Sequence, residues 1–186
     1  KNPTGKRVTT NDYGSADYYY VDKSSLPKVY GGFNTSLSWK GFDLSAIFAY
    51  SIGGYIYNRD VTMILHNGSL EGRDWSTEIL KRWTPDNRNT DVPALSTTTN
   101  NWNSASTRFL QNNSYMRLKN LTLSYNLPKQ WISKLSLSSV QVYVQGDNLF
   151  TIHRNQGLDP EQGITGITYY RYPAMRTISG GINVSF

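Results

Sequence analysis

The sequence holds 186 residues and carries a net charge of +6, from 19 Lys and Arg against 13 Asp and Glu. Only 17% of residues are charged while 13% are aromatic, with 14 Tyr and 5 Trp, an odd balance for a water-soluble domain. The absence of cysteine excludes disulfide and thiolate chemistry, and no apolar run reaches the ~18 residues of a membrane-spanning helix. Barrel strands escape that exclusion, because they cross with ~9–11 residues of alternating polarity. The cations are scattered, with no cluster longer than Lys6-Arg7 or Lys81-Arg82. A nucleic-acid footprint would gather them into a stripe with interleaved aromatics, so nucleic acid is not an expected partner. Loops facing an anionic membrane surface suit this placement better.

The chain opens on the polar Lys1-Asn2-Pro3-Thr4-Gly5, so any export signal is expected upstream. The first alternating segment is Val29–Lys40. It sets Val29, Phe33, Leu37 and Trp39 against Tyr30, Asn34, Ser36, Ser38 and Lys40. Lys40-Gly41 reads as a tight hairpin turn. Phe42–Gly53 then sets Phe42, Leu44, Ala46, Phe48, Tyr50 and Ile52 against Asp43, Ser45, Ile47, Ala49 and Ser51. A long, polar loop is expected over Tyr55–Ser114. Within it, Asp74–Trp83 reads as a short helix capped by Asp74 and stopped before Pro85. Helical spacing would put Trp75, Ile79 and Trp83 on one face, for packing on neighbouring loops or for stacking on a sugar ring.

Asn120–Leu127 alternates Leu121, Leu123, Tyr125 and Leu127 with Asn120, Thr122, Ser124 and Asn126. Pro128–Ser138 is a short link with room for a helical turn. Ser139–Phe150 sets Val140, Val142 and Val144 against Gln141, Tyr143, Gln145 and Asp147. A second long loop, Thr151–Met175, includes Asp159 and Glu161, which read as turn residues around Pro160. Thr177–Phe186 closes the chain, with Ile178, Ile182, Val184 and Phe186 opposite Thr177, Ser179, Asn183 and Ser185. Such period-two patterns predict β-strands with two chemically different faces.

Two regularities point to a membrane. Strand direction alternates, so the short links fall at one end and the long loops at the other, as in outer-membrane barrels. The expected strand cores also contain no Lys or Arg, and their only acids, Asp43 and Asp147, fall on the polar phase. A lipid face demands this, since a mid-bilayer Lys or Arg costs roughly 2–4 kcal/mol. Two aromatic girdles are expected: Trp39, Phe42, Tyr125, Trp131 and Phe186 at the short-turn end, and Tyr55, Tyr57, Tyr115 and Phe150 at the other. The expected fold is therefore all-β, a transmembrane antiparallel β-barrel. Catalytic motifs of phosphate-binding loops, serine hydrolases and zinc proteases are missing. His66 and His153 lie far apart without cysteines, which makes a structural zinc site improbable. No enzyme, metal or cofactor is expected.

Several stretches resemble SusC/RagA-like TonB-dependent outer-membrane transporters. They are Pro27-Lys28-Val29-Tyr30-Gly31-Gly32-Phe33, Trp39-Lys40-Gly41-Phe42-Asp43-Leu44, Arg82-Trp83-Thr84-Pro85 and Asn89-Thr90-Asp91-Val92-Pro93. Ser114–Leu123, Gly146-Asp147-Asn148-Leu149-Phe150, Gly157-Leu158-Asp159-Pro160-Glu161 and the terminal Ile182–Phe186 continue the match in order. Tyr18–Val21 and Thr97–Thr107 lie outside it. The resemblance implies that residues 1–186 are the C-terminal part of a barrel of about 22 strands, without its plug domain and N-terminal strands. It implies import of glycans or peptides across the outer membrane, with a SusD-like surface lipoprotein as lid and the TonB complex as energy source. Outer-membrane lipid and the barrel-assembly machinery are the further partners implied, with Ile182, Val184 and Phe186 as the assembly signal. Trp75, Trp102 and Arg108 are the candidate ligand-binding residues. The alternatives are a passive porin or adhesin barrel, a soluble carbohydrate-binding β-sandwich, and a surface enzyme.

Overall fold

The computed structural model describes residues 10, 12–66, 68, 70, 72–96, 101–161 and 163–186, except the side chains of residues 102 and 135. Among these, eight strands follow in chain order: β1 (Pro27–Trp39), β2 (Phe42–Gly53), β3 (Tyr55–Asn58), β4 (Leu110–Asn112), β5 (Tyr115–Asn126), β6 (Ser139–His153), β7 (Ile167–Thr168) and β8 (Thr177–Ser185). Two short helices, α1 (Arg59–Ile64) and α2 (Lys129–Ile132), lie between them. The five long strands form one sheet in the order β1-β2-β5-β6-β8, antiparallel throughout. The short ones form a second sheet, β4-β3-β7, within the long-loop segments.

Register sorts the large sheet into two faces. One row runs Trp39–Phe42–Tyr125–Val142–Ile182, and the next Leu37–Leu44–Leu123–Val144–Gly180. On the opposite face stand Ser38–Asp43–Ser124–Tyr143–Gly181 and Ser36–Ser45–Thr122–Gln145–Ser179. The alternation read from the sequence is thus the alternation of the sheet. Leu37, Trp39 and Ile182 are each more than 60% exposed, so among the described residues no second layer covers these rows of the apolar face. A sandwich would bury that face against a second sheet; this fold leaves it bare.

The strands outrun their expected ends. β1 takes in Lys28, β5 begins at Tyr115 and β6 continues to His153. Lys28, Arg117 and Lys119 therefore lie inside strands, in extensions beyond the expected cation-free cores. A bulge explains how β5 tolerates its two. Asn120 faces Ile47 but Leu118 faces Phe48, so Lys119 is the extra residue and the phase resets across it. Below the bulge the odd positions Leu121 and Leu123 share the apolar face; above it Leu118 and Met116 do, alongside Phe48 and Tyr50. Arg117 is thereby turned onto the polar face, level with Ala49 and Thr151.

The neighbouring strand answers with the Gly146-Asp147-Asn148-Leu149-Phe150 motif. Asn148 and Leu149 are accommodated between the Asn120–Asp147 and Leu118–Phe150 pairs, and Asn148 takes a left-handed φ of 52°. Asn is among the few non-glycine residues that visit this region. Leu149 folds back over Gly146, where a Cβ would come within 2.7 Å of its side chain. Gly146 is thus required by a close approach.

At the short-link end, Lys40 and Gly41 both have positive φ, 48° and 88°, as a two-residue type I′ hairpin requires. The β5–β6 link contains α2 and a 3-10 turn, Ser133–Leu135. Trp39, Phe42 and Tyr125 form the expected aromatic row there, with Phe42 and Tyr125 ring centres 4.5 Å apart. At the other end the girdle is composed differently. Tyr115 pairs with Ser51 and His153 on the polar face, and Tyr57 packs edge-on against buried Phe109. The aromatic row on the apolar face is Phe33–Phe48–Leu118–Phe150, with the Phe33 and Phe48 rings stacked at 4.7 Å.

Most fully buried side chains sit in the loop segments rather than the large sheet: Ile56, Leu65, Ile79, Val92 and Phe109. The expected helix at Asp74–Trp83 is a shorter 3-10 helix, Thr77–Lys81, capped by the Ser76 hydroxyl accepting from Glu78 N at 3.3 Å. Asp74 is not its cap. At three residues per turn the expected stripe is broken: Ile79 is buried, and Trp75 and Trp83 stay half exposed.

Gly41→Val tests the hairpin. A Cβ at this φ would lie 3.1 Å from Asn126 O and 3.2 Å from the Tyr125 ring. The left-handed conformation adds roughly 1–2 kcal/mol for a side chain. Denaturant unfolding of the full-length protein in lipid should show a loss of at least that size.

Candidate functional site: the loop cap and its anchor

The polar face carries hydrogen-bonded ladders with few charges. Asp43 accepts from Ser38 Oγ at 2.5 Å and from Asn126 Nδ2 at 2.7 Å. Asp147 accepts from Asn120 Nδ2 at 2.7 Å and from Gln145 Nε2 at 3.2 Å. Gln141 donates to Ser124 at 3.3 Å and accepts from Asn183 at the same distance. These side chains offer further donors and acceptors to whatever faces them.

Above the ladders a charged cluster fastens the second long loop to β5. Arg117, with 3% of its side chain exposed, reaches Asp159 at 2.5 Å and Glu161 at 2.8 Å, and its Nε donates to Thr151 Oγ1 at 2.9 Å. Lys119 meets Glu161 at 2.6 Å. Asp159 also accepts from the Ala174 amide at 2.6 Å and the Glu161 amide at 2.9 Å, closing the neck of its loop. Asp159 and Glu161 therefore do more than shape a turn around Pro160. Burial by itself raises the Asp159 carboxyl, but the Ala174 and Glu161 amides and the Arg117 guanidinium outweigh it and hold it below the usual carboxylate range.

Uncharged contacts extend the anchor. Asn113 donates to Pro160 O at 2.9 Å and accepts from Asn155 Nδ2 at 3.0 Å, and Asn148 donates to Met175 O at 3.2 Å. Asn58, fully buried, donates to Gln156 O at 3.1 Å. β3 pairs in parallel with β7, and Tyr57 N donates to Gly166 O at 2.7 Å. The two long loops are thus a single folded cap over the polar side of the sheet end. Between this cap and the segment preceding β1 lies a cleft of about 380 Å³, lined by Tyr13, Tyr18 and Tyr19 of that segment and by Tyr57 and Leu110 of the cap. Ring faces and phenol hydroxyls of this kind suit a sugar ring or a peptide side chain.

The sequence-derived candidates stand in separate local networks. Trp75 donates its indole N–H to His66 Nδ1 at 3.0 Å and meets that ring edge-on. The Gly68 and Leu70 amides also approach this nitrogen, at 3.3 and 3.4 Å, so buried His66 organises its loop. Arg108 donates to Asp91 O at 2.6 Å and lies 5.9 Å from the Phe109 ring centre. Trp102 belongs to the 3-10 turn Asn101–Asn103, and its side chain lies outside the described residues. Ile182 and Val184 occupy the apolar rows opposite Val142 and Val140, and Phe186 is 92% exposed. No group of three metal-ligating side chains occurs among the described residues. Arg117 and Lys119 were missed in the sequence because the alternation breaks at Lys119; a cation in an otherwise apolar phase was itself the available signal.

No family profile matches the chain. It is 35% identical over 166 residues to TonB-dependent receptor P3 of Formosa agariphila, covering 83% of this chain. It is 27% identical over 182 residues to the TonB-dependent receptor SusC of Bacteroides thetaiotaomicron, covering 96%. The chain belongs to the SusC/RagA-like TonB-dependent receptors. It spans only 16% and 17% of those two relatives' lengths. Among solved structures it is similar to the RagAB peptide importer in its closed-closed state, with 35% identity and a TM-score of 0.81 over all of this chain and 20% of that one. A further structure of the RagAB peptide transporter matches 89% of this chain and 18% of its own at TM-score 0.76 and 36% identity.

Asp159→Asn tests the anchor. A group whose carboxyl is depressed on folding contributes stability above its unfolded value, about 3.9, and loses it as pH falls through the lower folded one. The variant should loosen the loop by about 1–3 kcal/mol at neutral pH, seen as faster tryptic cleavage at Arg154, Arg171 and Arg176 in the folded full-length protein. The wild-type loop should loosen only on acidification below about pH 4, followed there by pepsin cleavage, and the variant's cleavage should depend less on pH.

Proposed function

We propose that this chain is the C-terminal part of the outer-membrane β-barrel of a TonB-dependent importer. The observation that carries the reading is the large sheet's apolar face, bare across five strands, while the opposite face holds polar ladders and the chain's own loops. Water would oppose such a face; lipid matches it. The free edges at β1 and β8 would pair with the strands of the longer protein, closing a barrel of about 22 strands around a plug. A barrel abolishes the edges that would otherwise invite aggregation. The cap then stands at the extracellular mouth, where glycans or peptides enter beneath a SusD-like lipoprotein, and TonB supplies the energy from the periplasmic side.

Relatives named SusC and a peptide importer together support a nutrient of glycan or peptide class. The tyrosine-lined cleft supports contact with such a nutrient at the mouth, and Trp75, Trp102 and Arg108 remain candidates for it. Import needs no bond-making step, and we assign the chain no catalysis. β8, whose Ile182 and Val184 lie in the apolar rows, together with terminal Phe186, fits the recognition signal of the barrel-assembly machinery.

Labels on cysteines placed at 123 and 124 in the full-length protein test the membrane reading. Lipid-soluble quenchers should reach position 123 and spare 124, because adjacent strand positions see opposite faces. Equal quenching at both, or none at 123, would refute it. Uptake that persists without TonB would favour a passive pore over an importer. Deleting Phe186 should lower the amount of full-length protein in the outer membrane without changing its synthesis, measured by immunoblot of fractionated cells.

A further inference from the structure

Unlike Arg117 and Lys119, three cations at the outer end of the sheet lack a carboxylate partner among the described residues. Lys23, Lys28 and Arg154 line one cleft of about 830 Å³. Lys23 sits with its Nζ 4.8 Å from the Tyr55 ring centre, and Lys28 is the bulged residue between the Pro27–Gly53 and Val29–Ile52 pairs. Asp22 is the one carboxylate on the described wall. His153 donates its Nδ1 hydrogen to Asn155 O at 2.8 Å.

The cleft spans the top edge of the sheet, where the two faces meet. Ile52, Met116 and Ile152 line it too. By register they continue the apolar face, since Met116 pairs with Tyr50 and with Ile152. Ile52 and Ile152 are 55% and 64% exposed. Cations without a carboxylate partner among the described residues therefore share one cleft with exposed aliphatic side chains that continue the bare face. A soluble anion would use only the upper half of this surface, and a neutral lipid only the lower.

We propose that the cleft seats the phosphorylated headgroup of an outer-leaflet lipid, with its acyl chains running down over Ile152, Met116 and Ile52. Charge complementarity selects the headgroup, and continuity with the apolar face selects a lipid over free phosphate or a carboxylate. Each near-surface cation contributes about fivefold to the affinity for an anionic lipid. The inference rests on the outer-membrane placement proposed above, and the two fail separately. Quenching at position 123 reports the placement whatever binds at the rim.

The test uses the full-length protein, delipidated in mild detergent and titrated under native mass spectrometry. The probes are a diphosphorylated lipid A, the same lipid with its phosphates removed, and inorganic phosphate alone. The diphosphorylated lipid should bind as one saturable equivalent, about fivefold more weakly for each of Lys23→Gln, Lys28→Gln and Arg154→Gln. Arg154→Lys should retain most of the affinity. Heat-modifiable gel migration checks that every variant is folded. Equal affinity in the folded triple variant, or equal binding of the dephosphorylated lipid, would overturn the proposal. Inorganic phosphate binding as tightly as the lipid would assign the cleft to a soluble anion instead and overturn it as well.

Discussion

A sheet with one face in lipid has to keep charge off that face, while its outer end must hold loops in water by the strongest contacts available. Both demands meet in β5. Its lower half supplies Leu121, Leu123 and Tyr125 to the apolar rows, and its upper half supplies Arg117 to the loop anchor. In an unbroken strand Arg117 would share a face with those three residues, since all are odd-numbered and side chains alternate. One extra residue at Lys119 resolves the conflict. The bulge turns Arg117 to the polar side and leaves Lys119 at the border, within reach of Glu161. The left-handed Asn148 and the Leu149-over-Gly146 contact on β6 accommodate the same irregularity from the next strand. A whole sequence motif thus follows from where the charge must go.

The distribution of buried side chains follows from the same constraint. The large sheet contributes little to a core within the described residues, because its apolar face is largely uncovered and its other face is polar. The loops behave oppositely. They bury Ile56, Leu65, Ile79, Val92 and Phe109 and enclose the polar His66, Asn58 and Thr168. Buried polar groups are tolerated where they find partners: Asn58 and the Nδ1 of His66 tie successive loop segments together, while His66 Nε2 and Thr168 Oγ1 have no partner among the described residues. The part expected to be irregular is therefore folded around its own interior, and the regular part leaves most of its apolar face uncovered.

The faces of the five long strands were legible in the sequence because period-two alternation is local: it needs no knowledge of partners. The short links and the Lys40-Gly41 turn were legible for the same reason. The anchor was not. Arg117 and Asp159 are 42 residues apart, and nothing near either one announces the other. Where the alternation broke at Lys119, the simplest reading ended the strand, whereas the structure bulges and continues. The helix at Asp74–Trp83 failed for a different reason. Its capping and spacing signals were real in form, but the tertiary seat of Ile79 and the hydrogen bond from Trp83 N to Val92 O, 2.8 Å, select a tighter turn. Trp75 and Arg108, candidates for ligand contact in the sequence, both hold neighbouring backbone or side chains within the cap.

The parallel pairing of β3 with β7 has an evolutionary consequence. These strands come from different long loops, and parallel neighbours cannot be joined by a simple hairpin, so each loop is shaped by a partner encoded more than a hundred residues away (Tyr57 with Ile167, Asn58 with Thr168). Recombination that imported only one of the two segments would bring a strand without its mate and leave Asn58 and Tyr57 without the backbone oxygens they now bond. Diversification at this mouth is therefore expected to proceed by paired replacement or by surface substitutions that leave the seam intact, which makes the two distant stretches one heritable module.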